Sequence, residues 1–220
     1  YFTHAGREVR RLEALDQDSK EPQHVQLVDR SGVLWSTSVL RGRCRRSRAG
    51  ATEVFPADHP VADGRFAPML EDREGNIWLG SWTQGLMRLS DGPLVAFSRS
   101  EGMSSDAART IFEDRSGTIW VGTTAGLNRI LDGKITSFER PRHLDKERDL
   151  NWIYALAEED GEFILGTRAG LAAFRDGELV VPNVREARFS EPVFSLLKAS
   201  DGRLWVGSSF PGSKAGRPLL

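Results

Sequence analysis

Apolar and polar residues alternate along this chain over runs of four to six positions, and Gly, Asp-Gly or Pro interrupts them about every dozen residues. Such a pattern predicts short strands joined by tight turns. One stretch shows it fully. Arg109-Thr-Ile-Phe-Glu113 reads as an inner strand, Asp114 to Gly117 as a turn, and Thr118-Ile-Trp-Val-Gly-Thr123 as a buried strand rich in β-branched and aromatic residues. Leu127 to Leu131 alternates, Asp132-Gly133 is a two-residue hairpin signal, and Ile135 to Phe138 closes the unit. Only Arg7 to Leu15, with Val9, Leu12 and Leu15 three apart, offers a helical alternative.

The unit is copied. Asp29-Arg-Ser-Gly-Val-Leu-Trp35, Asp72-Arg-Glu-Gly-Asn-Ile-Trp78 and Asp114-Arg-Ser-Gly-Thr-Ile-Trp120 align, followed by Glu159-Asp-Gly-Glu-Phe-Ile164 and Ser200-Asp-Gly-Arg-Leu-Trp205. The turn glycines fall at 32, 75, 117, 161 and 202, so the spacings are 43, 42, 44 and 41. Gly80, Gly122 and Gly166 follow the second strand's aromatic or Ile position. Gly85-Leu86, Gly126-Leu127 and Gly170-Leu171 open the third strand, and Asp91-Gly92, Asp132-Gly133 and Asp176-Gly177 end it. Four antiparallel strands in about 42 residues are the dimensions of one β-propeller blade. The units run over about 25–65, 66–107, 108–151, 152–192 and 193–220, the last partial. Residues 1–24 are the end of a preceding blade or a leader, and the whole is one propeller segment. The periodic Trp35, Trp78, Trp120 and Trp205 are expected to pack between blades, and Asp29, Asp72 and Asp114 to cap turns.

Asp114-Arg-Ser-Gly-Thr-Ile-Trp-Val-Gly-Thr-Thr-Ala-Gly-Leu127 resembles the two-component regulator propeller repeat at every fixed position. The copy from Asp72 to Leu86 has Ser81 for Thr and one extra residue, and the unit ending at Leu171 lacks the Trp. The resemblance covers roughly residues 25 to 208. It implies an extracytoplasmic, periplasmic input domain of a membrane-bound hybrid histidine kinase or diguanylate cyclase, with any catalytic output outside this chain. It also implies a larger, commonly seven-bladed ring, of which five units are a part, and a homodimer formed through the parent sensor.

Residues that break the repeat are the candidates for chemistry. The loops entering the inner strand and leaving the second strand open on one propeller face, and carry Trp82, Gln84, Asp106, Arg109, Asn151, Trp152, Arg168 and Arg188. The insertion from Arg140 to Leu150 belongs to the same face. Aromatic rings with forked donors suit stacking on a sugar ring or holding a carboxylate. The expected partner is therefore a small molecule, a saccharide among the candidates, bound by Trp82, Gln84, Arg109, Asn151, Trp152, Arg168 and Arg188. A solvated rim is the plainer alternative.

Composition narrows the classes. Lys plus Arg number 30 against 31 Asp plus Glu, a formal net charge of −1, so nucleic acid is not an expected partner. The cluster Arg41-Gly-Arg-Cys-Arg-Arg-Ser-Arg48 is compensated elsewhere and reads as a solvated outer strand or loop. No apolar run reaches the roughly 18 to 20 residues of a membrane span, so this segment is not expected to touch a bilayer. One Cys and four scattered His give no disulfide framework and no metal spacing, and no cofactor is expected. A propeller sialidase would place its turn Gly two after the Asp and need a Tyr nucleophile. Here the Gly comes three after, and only Tyr1 and Tyr154 exist. Two-carboxylate glycosidase chemistry finds no evident pair among Asp63, Asp106, Asp149 and Glu191. A protein-interaction propeller is the main alternative, and a propeller lyase or glycosidase a weaker one.

Overall fold

The computed structural model describes residues 2–5, 8–11, 23–38, 44–48, 51–56, 58–62, 64–140, 149–159, 161–181 and 191–208. The chain is an all-β propeller segment, and its one helical element among the described residues is a 3-10 turn at Arg99–Glu101. After a hairpin of β1 (Phe2–Ala5) and β2 (Glu8–Arg11) come four antiparallel four-stranded blades. The first holds β3 (Gln23–Val28), β4 (Leu34–Ser38), β5 (Cys44–Arg48) and β6 (Ala51–Val54). The second holds β7 (Phe66–Glu71), β8 (Ile77–Ser81), β9 (Leu86–Leu89) and β10 (Val95–Phe97). The third holds β11 (Ala108–Glu113), β12 (Ile119–Thr123), β13 (Leu127–Leu131) and β14 (Lys134–Phe138). The fourth holds β15 (Ile153–Glu159), β16 (Glu162–Thr167), β17 (Gly170–Arg175) and β18 (Glu178–Val180). A two-stranded fifth sheet pairs β19 (Val193–Lys198) with β20 (Leu204–Ser208). The first strands of successive blades lie against one another, which makes them the innermost.

The helical alternative over Arg7–Leu15 is overturned where the structure describes it. Residues 8–11 form a strand in register with 2–5, Phe2 opposite Arg11 and Ala5 opposite Glu8. Pairing with 2–5 satisfies backbone N–H and C=O groups of 8–11. The basic cluster is half solvated: Cys44 and Ser47 point inward, Arg46 pairs with Glu53 at 2.6 Å, and residues 41–43 lie outside the described residues.

Each complete Asp-x-x-Gly-x-x-Trp copy folds into a clamp. Asp72 Oδ1 accepts the N–H of Glu74 (3.1 Å) and of Asn76 (2.8 Å), while Oδ2 accepts the indole N–H of Trp78 at 2.7 Å. Asp29 holds Trp35 at 2.9 Å and Asp114 holds Trp120 at 2.8 Å in the same way. Gly117, at φ +88, takes the left-handed turn position that lets the chain reverse over this carboxylate. The clamped rings are the core, since Trp35, Trp78 and Trp120 are all buried. Trp120 meets Phe138 of its own blade at 6.1 Å, and Phe163 and Phe174 of the next at 4.7 and 5.4 Å.

Trp205 departs from the expectation, being 40% exposed. Ala199 stands three residues before its turn Gly202, where the complete copies have Asp, so the indole has no carboxylate clamp. Among the described residues the fifth sheet has two strands, and none of its rings lies over Trp205 as Phe138 lies over Trp120. The fourth blade loses the clamp consistently. Glu158 opposite Phe163 repeats Glu113 opposite Ile119, but the turn between them is one residue shorter, and Ile164 replaces the Trp.

The Arg after each clamp Asp joins one blade to the next. Arg30 donates to the carbonyls of Asp72 and, at 3.2 Å, Arg73, and its Nε lies 3.1 Å from Glu71. One blade on, Arg73 donates to the carbonyls of Asp114 (2.6 Å) and Arg115 (2.8 Å) beside Glu113. Arg115 faces Glu158 at 3.8 Å. At the last interface the charges are reversed, with Glu159 paired to Lys198. This ladder fixes the turn ends of the blades. A polar groove of about 450 Å³ between the second and third blades is lined by its members Arg73 and Glu113, with Asn76, Arg88 and Ser116.

Candidate functional site

The opposite ends of the inner strands are bulged. Ala108 pairs Thr123 and Thr110 pairs Gly122, which leaves Arg109 unpaired. The same step leaves Tyr154 unpaired between Ile153 and Ala155, and Phe194 between Val193 and Ser195. In the second blade Ala67 and Pro68 stand together against Gly80. Two residues crowd one partner at each bulge, and the partner is Gly because the next blade also closes on it. A Cβ on Gly122 would sit 2.6 Å from Thr110 Cγ2 and 2.7 Å from Ile153 Cγ2. Bulges re-aim side chains. Here one repeat position becomes Ala67, Arg109, Tyr154 and Phe194 in successive blades. In the first blade Thr37 replaces the Gly, the bulge moves two residues along to Gln26, and Gln26 Nε2 donates to Thr37 Oγ1 at 3.2 Å.

A second variable position follows the Ser or Thr that ends the second strand. Ser81 Oγ accepts the N–H groups of Thr83 (3.1 Å) and Gln84 (3.0 Å), and Thr167 Oγ1 accepts that of Ala169 at 3.1 Å. The loops are also tied to the inner strand's entry, by Arg168 N–H to Trp152 O (2.9 Å) and Thr124 N–H to Ala107 O (3.2 Å). A fixed backbone thus presents Trp82, Thr124 and Arg168 from equivalent places.

These positions converge. The Arg109 guanidinium carbon lies 4.6 Å from the ring centre of Trp82 and 5.7 Å from that of Trp152, and Arg168 lies 4.9 Å over Trp152. Trp152 continues to Tyr154 at 6.1 Å, and Tyr154 to Phe194 at 4.7 Å. The result is a shelf of four rings and two guanidinium groups drawn from four consecutive sheets. Trp82 is 47% exposed and Phe194 43%, so the shelf faces solvent. Below that surface the Nε of Arg109 and the indole N–H of Trp152 are buried with no hydrogen-bond partner. A buried donor left unpaired is unfavourable, and the Nε atoms of Arg88 and Arg140 are in the same state outside the shelf.

Of the seven residues predicted from sequence, Trp82, Arg109, Trp152 and Arg168 come together. Gln84 is exposed on the same loop as Trp82 and does not join the stack. Asn151 is corrected to a structural role. It is buried, its Oδ1 accepts the Arg140 N–H at 2.7 Å, and its Nδ2 donates to the Arg140 carbonyl at 2.9 Å. Each end of its amide thereby holds the incoming strand. Arg188 and residues 141–148 of the insertion lie outside the described residues. Asp106, also on this face, spends its Oδ1 on the Arg99 N–H at 2.8 Å. Sequence reasoning missed Tyr154 and Phe194, although both occupy the position of Arg109 in the repeat.

The clamp carboxylates have lowered pKa. Burial pushes Asp29, Asp72 and Asp114 up, but hydrogen bonds from Trp and the turn outweigh it and hold them below the ordinary Asp range. Burial pushes the Cys44 thiol up to about 12, so it is no nucleophile at neutral pH. The described residues contain no group of three or more His, Cys, Asp or Glu placed to hold a metal. No helix among them is long and apolar enough to cross a membrane.

The family model for the two-component regulator propeller matches residues 102–125 and 188–210. No curated protein gives a significant match. Among solved structures, virginiamycin B lyase from Staphylococcus aureus superposes with a TM-score of 0.65 at 17% identity, over 87% of this chain and 64% of that one. The extracellular domain assigned to a hybrid two-component system of B. thetaiotaomicron gives 0.67 at 20% identity, over 93% of this chain and 29% of that one. A second extracellular domain from the same organism, assigned to a one-component system, gives 0.64 at 15% identity, over 88% and 27%. The chain therefore spans less than two thirds of each. At these identities the likeness is one of fold.

Proposed function

We propose that this chain, which carries two-component regulator propeller repeats, is the ligand-sensing part of a bacterial membrane-bound signalling protein and works outside the cytoplasm. The small molecule sits on the shelf of Trp82, Arg109, Trp152 and Arg168. The observation that carries this reading is the pair of buried, unpartnered donors on Arg109 and Trp152 beneath solvent-facing rings. A rim built only for solvent would leave its donors in water. The matched repeat family and the extracellular two-component domains among the similar folds support the sensor role.

Signalling follows from the construction. A ligand on the shelf touches several sheets at once and favours whichever blade arrangement binds it better, so the population shifts toward that arrangement. The kinase or cyclase output, and the homodimer that conveys the change, belong to the parent protein. This segment is read as non-catalytic.

The test is a thermal-shift screen of small metabolites and saccharides against the chain and against Trp82→Ala and Trp152→Ala. A compound that raises the melting temperature of the parent chain and loses that effect in both variants supports the reading. A stabilising compound that ignores both substitutions places the site elsewhere and sinks it.

A further inference from the structure

We infer that the shelf takes an acidic sugar: a ring carrying a carboxylate, as in a uronic-acid saccharide. This inference rests on the ligand-sensing reading above and adds the charge and shape of the ligand. Three observations lead to it. First, the shelf is richer in donors than in acceptors, Tyr154 being the ring in the stack that carries a hydroxyl. The Nε of Arg109 and the indole N–H of Trp152 are buried without partners. Cation–π contact with Trp82 and Trp152 attracts the Arg109 charge but does not occupy its N–H groups. Second, the positive charge is uncompensated there. Arg109 and Arg168 form no ion pair with a described acid, as is also true of Arg88 and Arg129, but here two such guanidinium groups converge on one ring, that of Trp152. Asp106, an acid on the same face, already accepts from the Arg99 N–H. Third, the solvent-facing surface of the shelf is aromatic, with Trp82 and Phe194 both exposed.

Each feature selects part of the ligand. A guanidinium presents parallel N–H groups that match a planar carboxylate, and such charge-assisted pairs are the strong ones. The indole N–H of Trp152 can donate to a carboxylate or ring hydroxyl oxygen. An exposed indole accommodates the C–H face of a sugar ring, which keeps its hydroxyls at the edge and in water. A neutral sugar would leave the donors poorly matched. A bare anion would leave the aromatic surface unused.

The test is isothermal titration of the chain with uronate trisaccharides (galacturonate, glucuronate and mannuronate series), each beside its methyl ester. The ester keeps the ring and removes the charge. We expect at least one acid to bind about tenfold or more tightly than its ester, the scale of one charge-assisted hydrogen bond, with affinity falling as salt is raised. Arg109→Gln should abolish the preference for acid over ester, whereas Trp82→Ala should weaken both. Circular dichroism checks that the variants remain folded, and Arg109→Lys, which keeps charge without the fork, should recover part of the preference. Equal binding of acid and ester, lost in Trp82→Ala, overturns the acidic-sugar inference and leaves the shelf intact. Failure of every acid to bind also overturns it. Binding of an acid that survives both Trp82→Ala and Trp152→Ala overturns the shelf itself.

Discussion

Asp72→Ala is the sharpest test of what holds a blade together. Asp72 is 5% exposed and accepts four hydrogen bonds, from the N–H groups of Glu74 and Asn76, the Asn76 amide and the Trp78 indole. A hydrogen bond to a charged group contributes about 1.5–3 kcal/mol net, and stranding a buried donor costs about 1–3 kcal/mol. In the variant the two turn N–H groups can regain water, but the indole of Trp78, 3% exposed, cannot. The loss is expected at about 3–5 kcal/mol, a large part of the roughly 5–15 kcal/mol that holds a typical domain folded. Urea unfolding followed by Trp fluorescence and circular dichroism measures it as a lower midpoint at an unchanged slope. Trp78→Phe, which removes the donor but keeps a ring, should cost about 1–2 kcal/mol. The double variant should then be at least about 1 kcal/mol better than the sum, since both changes break one bond. The fourth blade already combines the two changes, with a shortened turn and Ile164 in the Trp position. An Asp72→Ala loss below about 1 kcal/mol, or two strictly additive losses, would refute the clamp.

Acid should unfold the domain partly through these clamps. Asp29, Asp72 and Asp114 have lowered folded values against an ordinary 3.8, so their contribution is complete above that value and disappears as pH falls through the lower folded ones. Melting temperature should therefore drop steeply below about pH 4 and less steeply in Asp72→Asn, and equal slopes would count against the assignment. Gly122→Ala should cost about 1–3 kcal/mol or more by overpacking, because its Cβ meets both Thr110 and Ile153, whereas an Ala at exposed Gly92 should cost little; denaturant midpoints compare them. Trp120→Ala should cost about 3–5 kcal/mol and Trp205→Ala far less, and equal losses would mean that exposure at Trp205 does not reflect its packing.

Repeat spacing carried most of the fold, because each blade needs the same turn, the same strand partners and the same close approach of its neighbour. The Asp132-Gly133 and Asp176-Gly177 hairpins were legible because both residues at each site take the positive φ such a turn demands. Asp91-Gly92 read alike and folds otherwise, since Pro93 follows and cannot donate to a tight closing pair. The Arg ladder was also in plain sight, as an Asp-Arg dipeptide in three copies, yet its role needs the neighbouring blade's carbonyls, about 42 residues away. Asn151 misled for a related reason. A polar residue in a loop looks available until the backbone it serves, at Arg140, is placed beside it.

The two ends of the blades divide the work in a way that suits a sensor. At the turn ends the ladder repeats with little change from Arg30 to Arg115, and where the charges reverse at Glu159 and Lys198 the pair is kept. The loop ends keep only their backbone. Ser81 and Thr167 cap the same turn, Thr124 and Arg168 make the same bond to the strand entry, and Gly80, Gly122 and Gly166 admit the same bulge. On that frame the bulge residue changes from Ala67 to Arg109, Tyr154 and Phe194, and the loop residue from Trp82 to Thr124 and Arg168. A binding face can then be rewritten one side chain at a time without disturbing the contacts that join the blades. On the proposed reading, a ligand that spans several sheets at the loop end would act on blades already pinned at the other end.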